Sequence, residues 1–219
     1  MEPYFPENLP SPNRSYPISI IDAFADAGIE IIVVNEKINS VPSPKGTPIH
    51  KGVWTNDELS EALPKNFTLF KNEPQWSLWL FSAKEYVMSN IFGITINCKG
   101  RKRRGCAVFQ NSTGWQTDEE KRLRLFIYIH ELGHCFNLNH SWEKPQTDQS
   151  SKRERYSSLS WMNLPWRYYS SKESSGRKAF WGAFDFQFDS SELMHLRHGF
   201  RNDVIFGGNS FNRRTNKNM

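Results

Sequence analysis

Apolar positions along the chain fall into two patterns, recurrence every three to four residues and short continuous runs, and each marks a different kind of element. Pro17 to Gly28, PISIIDAFADAG, sets Ile18, Ile20, Ile21, Phe24 and Ala27 at near-helical spacing before a glycine, which predicts a short helix. The β-branched run IEIIVV, Ile29 to Val34, predicts a buried strand immediately after it. Residues 39 to 53 are dense in proline, serine and glycine and read as a loop, and Thr55 opens a second short helix. Three further runs, WSLWLFSA (Trp76 to Ala83), FGITIN (Phe92 to Asn97) and GCAVFQ (Gly105 to Gln110), predict strands of a small, mostly sequential sheet.

The clearest helix comes next. Thr117 is placed to cap it, Glu120 three residues on completes a capping box, and Asp118 and Glu119 suit the positive end of the helix dipole. It runs through KRLRLFIYIHELGHCF without proline. Residues 143 to 156 are polar, SLSWMNLPWRYY is rich in aromatics, and a glycine-serine loop covers 170 to 176. In DSSELMHLRHG, Asp189 and Glu192 form another capping pair and Gly199 a stop. These elements predict an α+β fold: a small twisted mixed sheet, a long helix and a C-terminal helix. The proline-rich residues 1–16 read as an extended arm, 17–212 as one domain and 213–219 as a polar tail.

With 219 residues the chain is long enough to bury a proper core. It contains no run of about 18 apolar residues, so no membrane partner is expected. MEPYFPENLPSP lacks the basic-then-apolar pattern of a secretion signal, so a soluble protein is expected whose export, if any, is not written in the sequence. The net charge of +5 is concentrated in the run from Lys99 to Arg104, KGRKRR. Such a run steers acidic partners or simply forms a solvated loop; without interleaved aromatics the loop is the expected role, which argues against nucleic acid as partner. Cys98, Cys106 and Cys135 are too few for a disulfide scaffold. Cys98 and Cys106 flank the basic run and either pair across a hairpin or remain free thiols.

The chemistry sits in HELGHCFNLNH, His130 to His140. On a helix His130 and His134 lie one turn apart on one face, so both imidazoles can reach a single ion. His140 is too far round to join them unless the chain reverses after Phe136. Asn137 stands where such a reversal needs a left-handed residue, and asparagine is the usual second choice after glycine. Three neutral histidines around one catalytic zinc leave an open position for water, and Glu131, beside the first ligand, is placed to act on that water as general base. Cys135 points off the ligand face and reads as a core thiol. His195 and His198, three apart on the final helix, read as a solvated helix end rather than a second metal site.

Together these residues resemble the metzincin clan of zinc metallopeptidases, whose signature is H-E-x-x-H-x-x-G-x-x-H followed by a methionine turn. His130, Glu131, His134 and His140 match it, Asn137 replaces its glycine, and Ser141 after the third histidine is closest to the matrixin-like branch. Met162 in SWMNLPW, twenty-two residues after His140, matches the methionine that supports the metal site from below without binding it. Leu164 stands where two branches carry a tyrosine. The resemblance spans Ile129 to Tyr168. It implies that Gly105 to Gln110 is the edge strand on which substrate lies, with Cys106, Ala107, Val108 and Phe109 as main-chain contacts, and that Pro165 and Tyr168 line the pocket just beyond the scissile bond. It further implies a monomeric zinc endopeptidase acting on protein or peptide, secreted by family habit, with a cytoplasmic location as the alternative. Two other readings stand beside it: a zinc-containing peptide-binding domain with little turnover, and a basic nucleic-acid-binding protein using Lys99 to Arg104.

Overall fold

The computed structural model of the chain describes residues 9–10, 17–34, 52–113, 116–144 and 156–209. In chain order the elements begin with strands β1 (Leu9–Pro10) and β2 (Pro17–Ile18), helix α1 (Ile20–Asp26), strand β3 (Val53–Trp54) and helix α2 (Asn56–Asn66). Strands β4 (Trp79–Ala83), β5 (Glu85–Tyr86), β6 (Gly93–Cys98) and β7 (Arg101–Phe109) follow, then the short α3 (Gln110–Thr113) and the long α4 (Asp118–Cys135). Single 3-10 turns at Ser141–Glu143 and Pro165–Arg167 precede α5 (Gly176–Ala183), α6 (Ser190–His198) and α7 (Arg201–Val204). The result is a mixed α+β fold with a small mixed sheet. No helix among the described residues is long and apolar enough to cross a membrane. The expected polar tail, 213–219, and all but residues 52 and 53 of the expected loop at 39 to 53 lie outside the described residues.

Those residues form two compact units, one of 32–137 and 200–209, the other of 9–31 and 138–199. The first unit is built on the sheet β4-β7-β6, in which β7 pairs parallel with β4 and antiparallel with β6. The order is therefore not sequential. Thr55 caps α2 through a capping box with Glu58, and Leu59, Leu63 and Phe67 of this segment bury against Ala107 and Phe109 of β7. The alternate residue Cys106 faces Cys135 of α4, so the two helices cover opposite faces of the strand. Thr117 and Glu120 form the expected capping box at the start of α4.

Two expectations fail in this unit. Gly105 to Gln110 is not an edge: both sides of β7 are hydrogen-bonded, Gln110 already belongs to α3, and Cys106, Ala107, Val108 and Phe109 are fully buried at the centre of the sheet. Their main-chain groups are spent on β4 and β6 and cannot serve a peptide.

The basic run is not a solvated loop either. Lys99 and Gly100, both at positive φ (47° and 76°), make a two-residue hairpin turn, and Arg101 to Arg104 continue as β7. Arg103 and Arg104 are 1% and 0% exposed. A buried guanidinium needs most of its donors met; here the terminal nitrogens are paired, while the Nε of each arginine is buried without a partner. Arg103 donates to the carbonyls of Cys135 (2.7 Å), Ile205 (3.0 Å) and Asn209 (2.7 Å), and Arg104 to those of Lys71 (2.7 Å), Glu73 (3.1 Å) and Phe206 (3.1 Å). Burial lowers the Arg103 pKa to about 10, which still leaves it charged at neutral pH. Cys98 and Cys106 are buried free thiols, the second of the two alternatives open for them.

In the second unit Ser19 caps α1, and the helix closes at Gly28 (φ 81°) with the Ile29 N–H donating to the Phe24 carbonyl, 2.9 Å. Arg197 of α6 donates to the carbonyls of Asp26 (2.8 Å) and Ala27 (3.1 Å), satisfying the same helix end. An aromatic core gathers Trp161, Phe180, Trp181, Phe184 and Phe186. Asp189 and Glu192 cap α6, and Lys144 donates to both carboxylates. On α6 His198 is exposed but His195 is buried, so only one of the pair forms a solvated helix end.

Ile29 to Val34 forms no strand. Ile32 and Val34 are 76% and 58% exposed, and no described strand pairs with the run. β-branched residues favour a strand only where a pleated neighbour covers them.

Candidate metal centre

Helix α4 presents His130 and His134 one turn apart, with Nε2 atoms 3.1 Å from each other. Nitrogens at about 2.0–2.1 Å from a tetrahedral zinc are separated by roughly 3.3 Å. The pair already has that spacing. The Phe126 ring stacks beside His130, centroids 5.9 Å apart, and limits its rotation.

The helix then stops abruptly. Phe136 donates its N–H to the Leu132 carbonyl (3.1 Å), and Asn137, at φ 66°, donates to the His134 carbonyl (2.9 Å). Asn137 is thus a left-handed cap, and Leu138 beyond it is buried. The reversal brings His140 into the group: the ligand nitrogens of His130, His134 and His140 all lie within 4.8 Å of one another. A set of three imidazoles with this spacing is close enough to hold one metal ion. No other group of three or more His, Cys, Asp or Glu side chains is assembled in this way among the described residues.

His140 is held from behind. Its Nδ1 lies 2.8 Å from Glu143 Oε2, and its backbone N–H points to the same oxygen at 3.3 Å. Trp142 stacks on the ring, centroids 4.3 Å apart and planes 11° from parallel, and Arg167 covers Trp142 at 4.5 Å. Burial pushes the His140 pKa below its ordinary value, Glu143 works against this and the Arg167 charge adds to it. A neutral ring, the form that binds a metal, is therefore favoured.

Glu131 is 7% exposed, and burial pushes its carboxyl up to about 8. Its side chain occupies space left by Gly93 of β6, where an added Cβ would lie 2.5 Å from Glu131 Cγ and 2.8 Å from Oε1. Gly93 is a site residue that the sequence reading missed, as are Glu143, Trp142 and Arg167. The first three stand next to expected ligands or strands, but nothing local marks them.

Met162 is fully buried in a tight turn from Ser160 to Asn163. Its N–H donates to Ser160 Oγ (3.0 Å), its carbonyl accepts from the Ser141 N–H (3.0 Å), and Ser160 in turn donates to Glu192. The turn is thereby tied to the residue following His140. Pro165 is buried at the start of its 3-10 turn, and Tyr168 is buried against Phe180, ring centroids 5.7 Å apart. Of the expected substrate contacts, Cys106 to Phe109 lie at the centre of the sheet, with their main-chain groups paired to its neighbours, and Pro165 and Tyr168 are both buried. Cys135 is a core thiol facing the Gly105 carbonyl at 3.4 Å. No family model, no curated protein and no solved structure matches this chain.

Proposed function

We propose that the chain is a metzincin-like zinc endopeptidase in which His130, His134 and His140 hold the ion and Glu131 is the general base. The observation that carries this reading is the assembly of three imidazoles within 4.8 Å, with a buried carboxyl on the residue next to the first of them. Zinc bound there would supply Lewis acidity and make a coordinated water more acidic.

The chain's own contribution is proton traffic and positioning. Glu131 has its pKa raised by burial to about 8 in the metal-free protein, and a dication held by the histidines would favour its ionised, base form. It takes a proton from the attacking water and returns it to the departing amine. An extended peptide needs an unpaired strand edge. Among the described residues β6 has a strand partner on one side only, and its Gly93 adjoins Glu131, so the substrate strand belongs on β6 rather than on β7. Arg103 and Arg104 turn inward, which removes their guanidinium groups from any nucleic-acid surface.

The test is direct. The purified chain is expected to carry close to one zinc, to cleave unfolded protein, and to lose activity to chelators. Glu131→Ala should abolish cleavage while keeping the metal. Equal and negligible turnover by wild type and variant across a broad peptide library would favour a peptide-binding domain instead.

A further inference from the structure

The surroundings of His140 differ from those of the other two histidines. His130 and His134 are fixed by a regular helix, but His140 follows a chain reversal and belongs to no helix or strand. Its orientation has to come from side chains. A carboxylate only accepts hydrogen bonds, so the 2.8 Å contact to Glu143 places the ring proton on Nδ1 and leaves Nε2 as the ligand nitrogen. The same Glu143 oxygen faces the His140 backbone N–H at 3.3 Å, so one carboxylate engages both ring and main chain. The stacked Trp142 blocks ring rotation, and Arg167, 4.5 Å from the indole centroid, packs against the Trp142 ring.

We infer that Glu143, backed by the Trp142–Arg167 stack, is a positioning residue that selects the metal-binding tautomer of His140 and aims its Nε2. This rests on the reading of the three histidines as a zinc site. Removing such a partner of a ligand typically weakens metal binding about 10- to 100-fold. Glu143 is half exposed, so its loss should leave the fold intact.

Zinc affinity of the full chain is measured by chelator competition for wild type, Glu143→Gln and Glu143→Ala, and the His140 ring nitrogens are followed by NMR in the zinc-free protein. Wild type is expected to show the proton on Nδ1. Glu143→Ala should bind zinc about 10- to 100-fold more weakly and lose that tautomer preference, with Glu143→Gln in between because its amide oxygen still accepts. An alanine variant that binds zinc within twofold of wild type and keeps Nδ1 protonated would overturn the inference while leaving the metal site standing. A wild-type chain that binds no zinc would remove both.

Discussion

Substituting Gly93→Ala tests whether the approach of β6 to Glu131 positions the base. The added methyl would lie 2.5 Å from Glu131 Cγ and 2.8 Å from both Cδ and Oε1. Ordinary contact begins near 3.4 Å, so Cγ must retreat by about 0.9 Å and the carboxyl by about 0.6 Å from a site where the side chain is almost fully buried. A misplacement of this size costs on the order of 10²-fold in rate when geometry matters. The expected result is a kcat/KM lowered by about that factor on a fluorogenic peptide, with zinc content unchanged because no histidine moves. Overpacking also costs roughly 1–3 kcal/mol of stability, and this gives a readout that needs no substrate. In a Glu131→Ala background the space is already open, so Gly93→Ala should there cost less than about 0.5 kcal/mol, a coupling that urea titration of the four proteins resolves. Equal destabilisation in both backgrounds, or a kcat/KM within threefold of wild type, would refute the reasoning.

Substitutions at two further positions probe the supports of α4. Arg103→Met leaves the Cys135, Ile205 and Asn209 carbonyls without their donor; at roughly 1–3 kcal/mol for each stranded group, the urea midpoint should fall by the equivalent of about 3–9 kcal/mol, and a loss below about 1 kcal/mol would show that water replaces the guanidinium. Asn137→Gly keeps the φ of 66° and removes an Oδ1 that is buried without a hydrogen-bond partner, so stability should stay within about 1 kcal/mol, on the favourable side, with zinc affinity retained. Asn137→Val forces a β-branched residue into the left-handed region at about 1–3 kcal/mol and should weaken zinc binding in chelator competition.

What could be read from the sequence was local. Thr55 with Glu58, Thr117 with Glu120 and Asp189 with Glu192 each form a capping box whose partners are three residues apart, and such pairs signal a helix start whatever the rest of the chain does. The left-handed residue at Asn137 and the one-turn spacing of His130 and His134 are local in the same sense. The failures are long-range. Whether β7 is an edge depends on β4, some twenty-five positions upstream, and no pattern within GCAVFQ distinguishes a central strand from an edge. Arg103 and Arg104 look like solvent charges until acceptors at 71–75 and 204–209 are brought to them. Ile29 to Val34 has strand composition but, among the described residues, no strand to join. Gly93 carries no mark of its own, because the side chain that needs its missing Cβ lies on a helix thirty-eight positions away.

The end of α4 shows how the local and the distant signals combine. A helix leaves its last four carbonyls without intrahelical partners. Here Leu132 receives the Phe136 N–H, His134 receives the Asn137 N–H, and Cys135 receives the Arg103 guanidinium. The first two bonds follow from a residue able to adopt positive φ, which the sequence displays. The third comes from a charged side chain drawn out of solvent by strand β7, which the sequence disguises. Without it, the Cys135 carbonyl would be a buried acceptor at the very point where the chain must reverse, and fraying there would loosen His134 together with the path to His140. The buried arginine is therefore costly in isolation but favourable in place: its desolvation is offset by acceptors that would otherwise be stranded. One strand residue thus stabilises the helix end on which the spacing of the histidines depends.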